Sequence, residues 1–285
     1  MRPATHVWLA ACVWLAATAV ALLLAEPARA DARGTLVPLH LTHASHPVPR
    51  SAPTAAAYVP PVDARGEPRV VVVLHGWTCC AATMIVDRPE RCAGRVRPAW
   101  GLGARTDESG TPTLLLVPQL SLAYRDGHAG RFTERGFFAA WLSEALDALD
   151  ARQPGLTARW RRAPVALVAH SAGYETALAI VRDPSSAAHV RFVALLDALY
   201  GGTPAFVRWL ADDPARRLLS VHTTAAKTRA ENARLAALAT RTLGATALGA
   251  RVRIEPTRAA HGALPGLLFA RITKEFQDMQ IAITP

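Results

Sequence analysis

Short apolar runs rich in valine and leucine alternate along this chain with longer segments whose apolar residues recur every three or four positions. Runs of the first kind read as strands buried on both faces, and segments of the second kind as helices laid against them. The predicted strands are TAAAYV (54–59), RVVVVLHG (69–76), TLLLVP (113–118), APVALVAH (163–170), RFVALLD (191–197), RLLSVHTT (217–224) and RVRIEP (251–256), with TLVPLHLTH (35–43) as an added edge strand. In FFAAWLSEALDALD (137–150), Phe138, Trp141, Leu142, Ala145 and Leu149 share one face at helical spacing. Further helices are predicted over 173–181, 204–211, 229–243 and 264–279. The alternation points to an α/β domain, a mostly parallel central sheet with helices on both faces. The longest stretch without clear periodicity, 78–112, carries Cys79, Cys80 and Cys92. A loop that long inside a compact domain is usually functional or else needs a staple.

Composition adds a leader to this picture. The first thirty residues hold one early arginine, an apolar run from Val7 to Ala25 and the small-residue pattern Ala28-Arg29-Ala30, the three parts of a secretory signal peptide cleaved after Ala30. An uncleaved membrane anchor is the alternative, since Val7 to Ala25 is long enough to span a bilayer. A lipoprotein signal ending at Cys12 would leave almost no apolar segment before the cut. The chain therefore divides into a signal peptide (1–30), an extended lead-in (31–53) and one domain (54–285). Export to the periplasm or the medium puts the three later cysteines in an oxidising compartment. One disulfide is expected, from Cys92 to either Cys79 or Cys80, because adjacent cysteines pair only with strain. The formal charge is +10, yet only Lys227 and Lys274 of the 32 basic residues are lysine and the arginines are scattered. That is not the footprint of a nucleic-acid-binding face.

The candidate chemistry centres on AHSAG (169–173). Ser171 stands where an apolar strand ends and a helix begins, with Ala169 two before it and Gly173 two after. A sharp turn there holds the hydroxyl clear of the sheet, small flanks avoid collision with neighbouring backbone, and the helix start offers free N–H groups and a positive dipole end. An ordinary turn with a capping serine is the plain alternative. The pattern resembles the nucleophile elbow of the α/β-hydrolase superfamily, G-x-S-x-G, with alanine in place of the first glycine. With its context it resembles an exported serine esterase or lipase-like member, and the resemblance runs from about residue 54 to the end.

The resemblance implies further residues. The His75-Gly76 pair after the strand at 69–76 matches the start of the oxyanion loop, so that the backbone N–H groups of Trp77 and Ala172 would bind the negative oxygen. His75 itself reads as a brace for that loop. Members of the superfamily keep the order Ser, acid, His. His261, in TRAAHGALPG after the last strand, fits the base better than His222, inside a strand, or His189, before one. Asp197 closes RFVALLD and fits the acid, as in lipases that carry it at that earlier strand. Asp212 and Asp213 read as exposed-turn residues, Glu231 lies deep in a helical segment, and Glu175 points along the elbow helix.

Those residues imply acyl hydrolysis through an acyl-enzyme, with a small-molecule or polymeric carboxylic ester as substrate. An acyltransferase or amidase on the same triad is the second enzymatic reading, and a non-catalytic binding protein on a hydrolase fold the third. The segment 201–217 is too short for a large lid, which leaves 78–112 as the main wall of an open site, with Trp77, Trp100 and Tyr124 as apolar contacts or as packing. His40, His43 and His46 are spaced H-x-x-H-x-x-H, but on an extended segment that spacing alternates faces. Nothing in the sequence calls for a metal or a cofactor.

Overall fold

Four consecutive valines, Val70 to Val73, mark the middle of an eight-stranded sheet. The computed structural model describes residues 33–77, 79–122 and 128–281. Its strands are β1 (Thr35–Leu39), β2 (Ala55–Val59), β3 (Arg69–Leu74), β4 (Glu90–Cys92), β5 (Arg95–Arg97), β6 (Thr113–Pro118), β7 (Val165–His170), β8 (Val190–Leu196), β9 (Arg217–His222) and β10 (Val252–Pro256). The main sheet runs β1-β2-β6-β3-β7-β8-β9-β10, while β4 and β5 form a separate hairpin. The pairings of β1 with β2 and β2 with β6 are antiparallel, and all the others in the main sheet are parallel.

Every residue of β3 is buried, with Val70, Val72 and Leu74 in one apolar cluster and Val71 and Val73 in another. Successive side chains on a strand face opposite ways, so a run of this kind needs a helical layer on each side. One layer consists of α3 (Phe137–Asp150), α4 (Tyr174–Arg182), α5 (Thr203–Ala211) and, through Leu235 and Ala239, α6 (Ala226–Leu243). The other consists of α1 (Ala81–Ile85), α2 (Leu102–Glu108) and α7 (Leu264–Ile281), which contributes Leu264, Phe269, Ile272 and Phe276. The helical stripe of α3 is buried as its periodicity predicts, with Phe137 and Leu146 joining Phe138, Trp141, Leu142, Ala145 and Leu149. Each phenylalanine or leucine of that stripe contributes about 1.5–3 kcal/mol when fully buried.

The fold class matches the expectation, but 78–112 is not an extended loop. It contains α1, the β4–β5 hairpin and α2, elements of three to seven residues that are too short to show a period. A Cys80–Cys92 disulfide closes it, and Cys79 is the free thiol among the described residues. The predicted edge strand is β1, and the lead-in after it is tied to α3, where Glu144 accepts the backbone N–H groups of Thr42 and His43, the Thr42 hydroxyl and the His43 ring. The compact unit of the described chain begins at Gly34. The signal segment 1–30 lies outside the described residues. Between β8 and β9 only α5 and its flanking turns intervene, so no lid domain is inserted there. No helix among the described residues is long and apolar enough to cross a membrane.

Candidate active site

The six residues of β7 are all buried, and the strand stops at a serine whose φ is +54°. That is left-handed backbone, which costs a residue with a Cβ about 1–2 kcal/mol. One short turn, Ser171–Gly173, then feeds α4. Gly173 allows the approach, since a Cβ there would lie 2.1 Å from the Leu74 carbonyl oxygen. On the other side, a Cβ on Gly76 would come within 3.0 Å of Ser171 Cβ. Ser171 is half-buried, while His170, Ala172 and Gly173 around it are buried. As the first residues of a helical segment, Ala172 and Gly173 have N–H groups with no intrahelical acceptor.

Asp197 sits at the end of β8 with φ +45°, the adjacent parallel strand, and is only 2% exposed. Its carboxylate accepts from Thr223 N (3.1 Å), Thr223 Oγ1 (2.8 Å), Thr228 Oγ1 (2.8 Å) and His261 Nδ1 (2.7 Å). Burial works to raise this carboxyl, but the hydrogen bonds from His261, Thr228 and Thr223 outweigh it and hold it below the usual carboxylate range. An ionised carboxylate only accepts, so His261 Nδ1 carries the proton and, in the neutral ring, Nε2 carries the lone pair. His261 opens the turn that leads into α7, and its ring packs 4.5 Å from that of His170, the residue before Ser171. His261 is thus tied to the end of β8 by a hydrogen bond and to the end of β7 by a ring contact, at the C-terminal edge of the sheet.

The loop after β3 is fixed from beneath. His75 is 1% exposed, donates from Nδ1 to the Gly76 carbonyl (2.9 Å) and accepts the Leu120 N–H on Nε2 (3.1 Å). Burial lowers its pKa to about 4, so the ring is a neutral brace. Gln119, just past β6, accepts from Ala81 N and donates to the carbonyls of Cys79 and Leu120. Gly76, Trp77 and Ala172 border one small cavity closed by Leu120 and Ser121. Trp77 is 53% exposed at its rim. A separate open cavity of about 860 Å³ lies against α4, and His128 borders both.

No protein-family model matches the sequence, and no curated protein matches it. Among solved structures, the feruloyl esterase module from Clostridium thermocellum complexed with sinapinate superposes with a TM-score of 0.53 at 10% identity, covering 86% of this chain and 90% of that one. A second structure, named FAE, gives the same TM-score and coverage at 11% identity. The chain has the α/β-hydrolase fold. At such identity the likeness is one of fold alone.

The rivals for the site residues are engaged elsewhere. His222 donates from Nδ1 to the Thr223 carbonyl, and His189 is exposed before β8. Asp213 pairs with Arg191 and accepts Ala215 N, and Asp212 lies 3.9 Å from Arg216 at the surface. Glu231 accepts from Thr203 Oγ1, and Glu175 from Tyr174 Oη. Of the three aromatic contacts expected at the mouth, Trp77 is exposed there, Trp100 packs edge-on against His170, and Tyr124 lies outside the described residues. His43 and His46 of the spaced histidines turn to separate partners, Glu144 and the His128 carbonyl. Tyr200 and Gln119 are among the residues that escaped the sequence reading. Tyr200 is raised in pKa by burial and by the Asp197 charge, an effect partly offset by its hydrogen bond with Ser171. Gln119 had one signal, a lone amide directly after the apolar run of β6.

Proposed function

We propose that this protein is an exported serine hydrolase that cleaves carboxylic esters, with Ser171 as nucleophile, His261 as base and Asp197 as the acid that orients it. The observation that carries the reading is the 2.7 Å bond between His261 Nδ1 and a buried Asp197, beside a serine bent to φ +54° at a strand end. With Nδ1–H held by the carboxylate, His261 Nε2 takes the Ser171 proton as Oγ attacks the ester carbonyl carbon. The carbonyl oxygen becomes negative and is received by the N–H groups of Trp77 and Ala172, which border the same small cavity. The intermediate collapses, the alcohol leaves with the proton from Nε2, and a water activated by the same nitrogen releases the acid and restores Ser171. Asp197 stays ionised throughout, stabilising the imidazolium while its Thr223 and Thr228 donors keep it in place.

Export through residues 1–30 is supported by the Cys80–Cys92 disulfide, which suits an oxidising compartment. An open site without an inserted lid domain supports small or polymeric esters rather than deeply enclosed ones. The test is turnover of p-nitrophenyl acetate and butyrate, with methyl ferulate added because one structural neighbour is a feruloyl esterase module. Wild-type protein turns over at least one of these, and Ser171→Ala, with unchanged circular dichroism, does not. Equal turnover by both proteins would remove the reading.

A further inference from the structure

Resting on the hydrolytic reading above, we propose that His170 is a positioning residue that holds the His261 imidazole in register through a main-chain hydrogen bond and the face of its own ring. His170 Nε2 lies 3.0 Å from the His261 carbonyl oxygen. A carbonyl only accepts, so Nε2 bears the proton and Nδ1 of the neutral ring is bare. That Nδ1 is buried with no hydrogen-bond partner, and it would stand 3.5 Å from a Cβ placed on Gly76.

A bare buried acceptor is unfavourable. A residue needed only to fill space at the end of so apolar a strand would be leucine or phenylalanine. The imidazole supplies what those cannot, an N–H aimed at the backbone of residue 261 together with an uncharged ring. The two rings stand 4.5 Å apart with 38° between their planes, and Trp100 packs edge-on against His170 at 5.0 Å. His261 needs such support because its side chain is 42% exposed and Asp197 holds it at one atom, Nδ1. Rocking about that single bond would swing Nε2 away from the serine.

The neighbour must also be neutral, because His261 becomes a cation in each turnover and a charged ring at that distance would oppose it. The ionisable groups facing His170 are His261, Asp197 and His75, from the turn before α7, the end of β8 and the loop after β3. Burial is the main cause, with the His261 charge second, of a His170 pKa of about 4. The His170 ring is therefore uncharged near neutral pH.

Two variants divide the roles. His170→Phe keeps a ring and loses the N–H, whereas His170→Gln keeps a donor near the Nε2 position and loses the ring. With the ester turned over best, His170→Phe should lower kcat about tenfold or more with KM changed by less than about twofold, and His170→Gln should recover part of that loss. Nitrogen-15 spectra of the wild-type protein, which need neither substrate nor a variant that folds, should show His170 as the Nε2–H tautomer, uncharged at pH 5. The proposal is overturned by a His170→Phe kcat equal to wild type, by a glutamine variant no better than the phenylalanine one, or by an Nδ1–H tautomer at His170. These outcomes are separable from failure of the hydrolytic reading. Loss of turnover in Ser171→Ala with indifference at 170 sinks only this proposal, and turnover that survives in Ser171→Ala sinks that reading while the tautomer still decides whether His170 donates to residue 261.

Discussion

Two side chains of the candidate site stand on backbone that L-residues avoid. Ser171 and Asp197 both have positive φ, and each follows the last residue of a parallel strand. The third such residue among those described, Ala93, belongs to the tight turn between β4 and β5, where the shape of a hairpin accounts for it. Left-handed backbone at both members of a proposed triad turns each side chain out of its strand direction, at a cost of about 1–2 kcal/mol apiece that the surrounding packing must offset. Asp197 repays that cost only as a carboxylate, because it accepts from four donors. In Asp197→Asn the remaining carbonyl oxygen still serves Thr223 and Thr228, but an amide N–H facing His261 Nδ1 forces the other tautomer and leaves Nε2 protonated. kcat should fall about a thousandfold or more with KM little changed. A loss under about tenfold in steady-state ester kinetics would remove Asp197 from the triad.

At the scale of elements, the strands were legible because valine and leucine recur without interruption, and α3 because its stripe keeps helical spacing over fourteen residues. The stretch 78–112 was not, since α1, β4, β5 and α2 are too short to be stable alone and are held by tertiary contacts and a cross-link. The disulfide joins the residue before α1 to the last residue of β4. Sequence spacing left Cys79 and Cys80 equivalent, and only the fold of this segment separates them, burying Cys80 and leaving Cys79 half-buried and reduced. Closing a loop with a sequence separation of 12 stabilises the folded chain by about 3 kcal/mol in the chain-entropy account. Cys92→Ser should accordingly lower Tm by several degrees in differential scanning calorimetry, and a Tm equal to that of the wild type would mean that the segment stands without its staple.

Across the whole molecule, the site depends on strand order, which no local pattern displays. β3, β7 and β8 lie side by side, so His75, Ser171 and Asp197 end on one edge, and β10 at the sheet's border delivers His261 back towards them. Ser171, Asp197 and His261 were picked out through motif and chain order, whereas Gln119, Tyr200 and His170 acquire their partners only from register between strands. Burying His75 and His170 also ties fold stability to acidity. Burial depresses both pKa values to about 4, against about 6.5 in an unfolded chain. Between those values the unfolded state binds protons that the folded state refuses, so this stabilisation is complete above pH 6.5 and is lost as pH falls towards 4. Each ring accounts for about 3 kcal/mol at most. The urea midpoint should drop between pH 7 and 4, and less steeply in His170→Phe; a flat profile would mean that these rings are accessible to solvent protons. The assembly of three remote residues into one nucleophilic site is tested most directly by reaction with a fluorophosphonate followed by mass spectrometry of the tryptic peptide 163–182. A single adduct on Ser171 is expected, absent from Ser171→Ala and strongly reduced in Asp197→Asn; an adduct elsewhere, or equal labelling of the wild type and Ser171→Ala, would remove Ser171 as the nucleophile.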